Sequence, residues 1–203
     1  MMKLYKAFLP AVAAALLLIA CGGGKIPQTR YYQLQIPAAP RPAETLAFSA
    51  VVQPFRASEM LTQDRIVYRP TPEEVGYYEY HRWAEDPRTA VSRGIVSALE
   101  AKGTFQSIAP QDGRTRADFI LRGRIERLEE VDYEGGVKVY VSLAAELVDA
   151  DTTRVVWDGE ASENAVVASS DMQTVVESMS QATAAAVQKL AASVDRHMRA
   201  NPR

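Results

Sequence analysis

The sequence predicts an α+β fold: a mainly antiparallel β-sheet with two helices packed on one face, the second long and C-terminal. Three observations predict it. Three long β-patterned stretches follow one another between residues 118 and 167, separated by turn residues. A capped helical pattern over 87–102 precedes them. An apolar stripe at helical spacing runs from Met172 to Val194.

The elements follow in chain order. Lys3 and Lys6 form a short positive region ahead of Ala7–Ala20, which is apolar but for Pro10. That run is shorter than the about 20 residues needed to cross a bilayer. It has the proportions of a signal-peptide core. It ends Leu18-Ile19-Ala20-Cys21, which resembles the bacterial lipobox, although Ile19 replaces the small residue usual there. Cys21 is the one cysteine in 203 residues, so it has no internal disulfide partner. Lipidation of Cys21 accounts for it. A buried core cysteine does not, because Gly22-Gly23-Gly24 follows at once. Residues 1–20 are therefore expected to be a leader, residues 21–30 a lipidated tether, and residues 31–200 one domain. Each buried methylene contributes about 0.8 kcal/mol and a single chain anchors only marginally, so stable anchoring takes more than one chain.

Tyr31-Tyr32-Gln33-Leu34-Gln35-Ile36 reads as a strand, and Leu46–Phe55 as another that stops at Pro54. Arg65–Arg69 and Val75–Trp83 flank Pro70-Thr71-Pro72 and can pair as a hairpin. Asp86-Pro87 opens the first helix, with Asp as cap and Pro in the first turn. Val91, Ile95, Ala98 and Leu99 give it an apolar face, and Lys102-Gly103 ends it. Phe105–Ile108 is a short strand. Asp118–Asp132, Val137–Asp149 and Arg154–Val167 form a meander, with Val137, Val139, Val141, Leu143, Ala145 and Leu147 facing one core. Ser170 with Gln173 fits a capping box for the last helix. Met172, Val175, Met179, Ala182, Ala186, Leu190 and Val194 make its stripe to about His197.

Composition excludes several classes of function. With the leader removed, 21 basic and 25 acidic side chains remain, without a basic stripe for nucleic acid. Two histidines, His81 and His197, are too few and too separated for a zinc motif. Asp149 and Asp151 read as turn residues, because the further donors of a calcium loop are missing. There is no GxSxG and no GK[ST] after the glycine run. Glu129 and Glu130 fall on opposite faces of a strand and cannot share a site. The expectation is a protein without catalytic residues, cofactor or metal.

The segment Val75–Ala84 concentrates Tyr77, Tyr78, Tyr80, His81 and Trp83. Aromatics beside arginine are typical interface anchors, and they are equally typical of sheet packing. As candidate partner contacts, Tyr77 and His81 are expected on one face and Tyr78 and Tyr80 on the other.

The order of these features resembles the ABC-type transport auxiliary lipoproteins, the PqiC-like group. A lipobox cysteine is followed by Tyr31-Tyr32-Gln33-Leu34. An aromatic strand then ends in Trp83 and leads through Ala84-Glu85-Asp86 into a helix started by Pro87. Gly103-Thr104-Phe105, a meander and a long final helix complete the pattern, while Gln111–Thr115 carries nothing that aligns. The resemblance implies a non-catalytic component of a lipid transport system, with an ABC permease and ATPase and a mammalian-cell-entry (MCE) domain protein as partners. It implies an outer-membrane, periplasm-facing position, which Gly22 after the cysteine also fits. Ring-like self-association is compatible with it but not written in the residues. The alternative is a periplasmic carrier of a lipid or small ligand, which requires an apolar cavity. A hydrolase of envelope polymers is a third reading, and no convergent polar set supports it.

Overall fold

Strand β7 (Phe119–Val131) is the spine on which the sheet is built. The computed structural model describes residues 27–38, 40, 44–133 and 135–201. The expected leader, the cleavage site and Cys21 lie outside the described residues. On one side β7 pairs antiparallel with β8 (Lys138–Asp149), which pairs antiparallel with β9 (Val155–Val166). On its other side three short strands lie end to end, all parallel to it: β2 (Ser49–Val52), β3 (Arg56–Ala57) and β4 (Arg65–Arg69). β6 (Ser107–Pro110) extends the sheet beyond β2. β5 (Gly76–Trp83) and then β1 (Arg30–Tyr32) extend it beyond β4. The long pairings are antiparallel, as the alternating pattern predicts, and the short ones are mostly parallel.

Two helices cover one face. Helix α1 (Pro87–Lys102) has Asp86 as its N-cap, accepting from the Arg88 amide, and Gly103 at φ +64° as its C-cap. Only glycine enters that left-handed conformation without strain, so the expected stop is where the chain turns. Helix α2 (Met172–Ala200) lies on β8 and β9 and against α1. Its 29 residues span about 43 Å at 1.5 Å per residue. Every residue of the expected stripe, from Met172 to Val194, is buried. The cap differs from expectation. Asp171, not Ser170, accepts the Thr174 amide at 3.1 Å. A carboxylate one residue later reaches the free amides and also takes the Thr174 hydroxyl at 2.6 Å.

The core lies between this face and the helices. Val139, Val141, Leu143, Ala145 and Leu147 point into it as expected. On β7 the inward set is Phe119, Leu121 and Ile125, after which the register shifts between Ile125 and Arg127. This bulge inserts one residue. It aligns Leu128 with Val141 and Glu130 with Val139, placing a carboxylate on the core face. The turn after β8 is built as predicted: the Asp149 side chain accepts from the Asp151 and Thr152 amides at 3.1 and 2.8 Å.

Candidate functional site

The aromatic strand β5 and the end of β7 meet beside the start of α2, and this is where the unusual chemistry collects. Glu130 is 2% exposed. The Tyr78 hydroxyl donates to its carboxylate, 3.0 Å from one oxygen and 3.1 Å from the other. Burial pushes the Glu130 carboxyl up to about 7; the Tyr78 hydrogen bond opposes this, and nearby Asp132 adds to it. The same burial, with Glu130 alongside, raises the Tyr78 phenol above its ordinary value. Burial therefore favours the protonated form of Glu130 relative to an exposed carboxyl.

Neighbouring rings hold this pair. Tyr68 packs on Tyr78 at a tilt of 45°, with centroids 4.8 Å apart. Its ring lies over Gly76, its cross-strand partner, where a Cβ would fall 2.3 Å from the ring. Any side chain there evicts Tyr68. His81 meets the Tyr78 ring edge-on at 5.7 Å, and its Nδ1 is 2.9 Å from the Tyr32 hydroxyl. Burial and the nearby Arg30 charge lower the His81 pKa below its usual value, which favours the neutral imidazole.

Glu129 leaves the strand on the other face. It is held by Arg69 at 2.9 Å and Arg127 at 2.7 Å, and Arg127 also lies 4.4 Å over the Tyr140 ring. The two adjacent carboxylates thus occupy different environments, as their spacing predicts.

The five aromatic-segment residues do not form one surface. Trp83, expected as a partner contact, is 6% exposed and packs in the core. Tyr77 is half-buried and packs against the core. Tyr80 is also half-buried, and its phenol is raised by Glu79 beside it. Strict alternation separates Tyr78 from His81, yet their rings touch. The cause is the irregular pairing of β5 with β4: Arg82 pairs with Arg65 but Tyr77 with Val67, so β5 carries extra residues between these points.

Tyr78 and His81 line a cleft of about 720 Å³ with Arg30, Tyr31, Tyr32 and the first turn of α2. Sequence reasoning missed Glu130, Tyr32, Arg30 and Asp171 as members of this region. Nothing in the strand singled Glu130 out, because Phe119–Val131 also carries Arg122, Arg124, Glu126, Arg127 and Glu129. A second groove of about 410 Å³ lies by Arg122, Arg124, Ala144, Glu146 and Asp158, where Arg122 and Glu146 pair at 2.8 Å. Among the described residues no three His, Cys, Asp or Glu side chains are grouped to hold a metal. No described helix is long and apolar enough to cross a membrane.

A family model described as the ABC-type transport auxiliary lipoprotein component matches residues 32–191. Among proteins of curated function, none matches the chain in sequence. A crystal structure of a Xanthomonas campestris protein of the DUF330 family is similar over 84% of this chain and 98% of that one, with TM-score 0.74 at 22% identity. An uncharacterized protein matches over 83% and 99%, with TM-score 0.66 at 14% identity. A Chlamydia trachomatis protein matches over 77% and 100%, with TM-score 0.54 at 12% identity. At these identities the structures share the fold.

Proposed function

Because the chain belongs to the family of ABC-type transport auxiliary lipoprotein components, we propose that it serves such a transporter as a non-catalytic docking module held to a membrane through Cys21. The observation that carries this reading is the span of the family match, which takes in the aromatic strand, α1, the whole meander and α2 as far as Ala191. A lipobox-like Leu18-Ile19-Ala20-Cys21 stands directly upstream of that domain. The site chemistry agrees with a binding role: His81 Nδ1 and the Tyr32 hydroxyl are hydrogen-bonded to each other, and both Glu130 oxygens face the Tyr78 hydroxyl.

In this reading the acylated cysteine holds the domain on the periplasmic face of the outer membrane. The partner is an MCE-domain protein that bridges the periplasm from an ABC permease and ATPase, and the cargo is lipid. Confinement to one surface raises the effective concentration of the domain near a bridging partner. The partner surface would lie beside the exposed parts of β1 and β5, where Tyr31 is 63% exposed.

The test is co-purification of the MCE partner from intact envelopes. Wild type is compared with Cys21→Ala exported under a leader that is cut without acylation. Recovery is expected to fall by about tenfold or more in the variant, the scale of a lost tethering advantage. Equal recovery with normal lipid trafficking contradicts the confinement mechanism.

A further inference from the structure

We propose that the cleft between β1, β5 and the start of α2 binds a small zwitterion in which an ammonium and a phosphate are joined by a short linker. Its volume, about 720 Å³, falls in the range of small-molecule sites. Three tyrosines, Tyr31, Tyr32 and Tyr78, line it with His81. Ring faces attract an ammonium, and more strongly where water is excluded.

Two fixed charges of opposite sign complete the lining. Asp171 contributes a carboxylate held ionised by the Thr174 and Ser169 hydrogen bonds, which bring its pKa down to about 2. Its oxygens accept from the Thr174 amide and hydroxyl, and the charge they carry faces the cleft that Asp171 lines. Arg30 contributes a guanidinium, whose fork of donors suits a phosphate. The lowered His81 pKa favours the neutral imidazole, which does not repel an ammonium. A simple anion in this cleft meets Asp171, and a simple cation meets Arg30. A molecule carrying both charges satisfies both walls. This is also the headgroup chemistry of phosphatidylethanolamine. Tyr31 is ten residues after Cys21, a reach of at most about 35 Å for extended chain. A bilayer source for the zwitterion rests on the anchor reading above; the site itself does not.

The test uses the mature chain carrying Cys21→Ala, titrated by calorimetry with glycerophosphoethanolamine, ethanolamine and glycerol 3-phosphate. The zwitterion is expected to bind about tenfold more tightly than either half, because each half leaves one charged wall unmatched. Asp171→Asn keeps a helix cap of equal quality, so helix content by circular dichroism stays unchanged. It is expected to weaken the zwitterion and ethanolamine by about tenfold and to spare glycerol 3-phosphate. Arg30→Gln is expected to do the reverse with the phosphate. Tyr31→Ser, at an exposed position, is expected to weaken the ammonium compounds by about threefold to tenfold.

Flotation of the same chain with phosphatidylethanolamine vesicles separates the sources. Capture that Tyr31→Ser abolishes assigns a membrane lipid. Binding of the soluble zwitterion without capture assigns a free headgroup. The proposal is overturned if none of the three compounds saturates, if glycerol 3-phosphate binds as tightly as the zwitterion, or if all three variants bind like wild type. Binding to vesicles without binding to the soluble zwitterion also overturns it. These failures leave the docking role untouched, because no arm of the experiment uses the anchor or the transporter.

Discussion

Leu143→Ala is expected to cost about 3–4 kcal/mol of unfolding free energy, within the range for leucine truncation in a well-packed core. Leu143 is 0% exposed. It stands on β8 between Ile125 on β7 and Ala161 on β9, its cross-strand partners. Helix α2 packs over the same strands and presents Val175, Met179 and Ala186 to the core. Neighbours held by two ladders and a long helix cannot close over the missing carbons, so most of the cavity persists. Chemical denaturation gives the measurement. A fall in midpoint at constant m-value is expected, with Tm lower by about 6–16 °C for a domain of this size. A loss below about 1 kcal/mol would mean that the site collapses easily and that β8 is not the centre of the core.

Glu130→Gln is expected to stabilise the protein at pH 8 and to make no difference at pH 4. The carboxyl is raised from 4.5 to about 7, chiefly by burial. Its folded-state pKa therefore lies above its unfolded value, and folding favours the protonated form. The stability of wild type is highest below the unfolded pKa. It falls as pH rises through the interval between 4.5 and about 7, and stays at its lower level above that. Glutamine is neutral throughout and keeps an oxygen for the Tyr78 hydroxyl. The advantage of the variant at pH 8 is expected to be on the order of 2 kcal/mol, allowing for partial solvation of the ionised group. Urea denaturation at pH 4, 6 and 8 reads it directly. An equal difference at pH 4 and pH 8 contradicts the assignment, because a packing effect does not titrate.

These two expectations come from opposite ends of what the residue pattern discloses. Leu143 belongs to a run of strict alternation, Val139 to Leu147, and that period reports one buried face without help from elsewhere. The same holds for α1, bounded by Asp86 and Gly103, and for the stripe on α2. In each case the signal is local and the physics acts within a few residues. Glu130 was not legible as a core group, because its position depends on the bulge after Ile125. One extra residue exchanges the faces of everything beyond it, and no period in the sequence marks where it falls.

The cleft was hidden for a related reason. Tyr32 and His81 are 49 residues apart in the chain, and β1 meets β5 in a parallel pairing that no turn residue announces. The strands laid end to end along β7 are only two to five residues long, too short for a period to show. Their order is set by the spine strand and not by their own composition. The aromatic segment was conspicuous as composition, but alternation assigned its faces wrongly where β5 departs from regular pairing. Trp83 went inward, while Tyr78 and His81 came together. At the start of α2 the cap moved by one residue, since Ser170 and Asp171 are both good caps and only the local backbone decides between them.

The intact mass of the protein, produced in its native host and extracted from membranes, tests the account most directly. The expected species begins at Cys21 and carries acyl chains on its N-terminal residue. A chain that still begins at Met1, with a bare sulfur at Cys21, would contradict the anchor and with it the docking role.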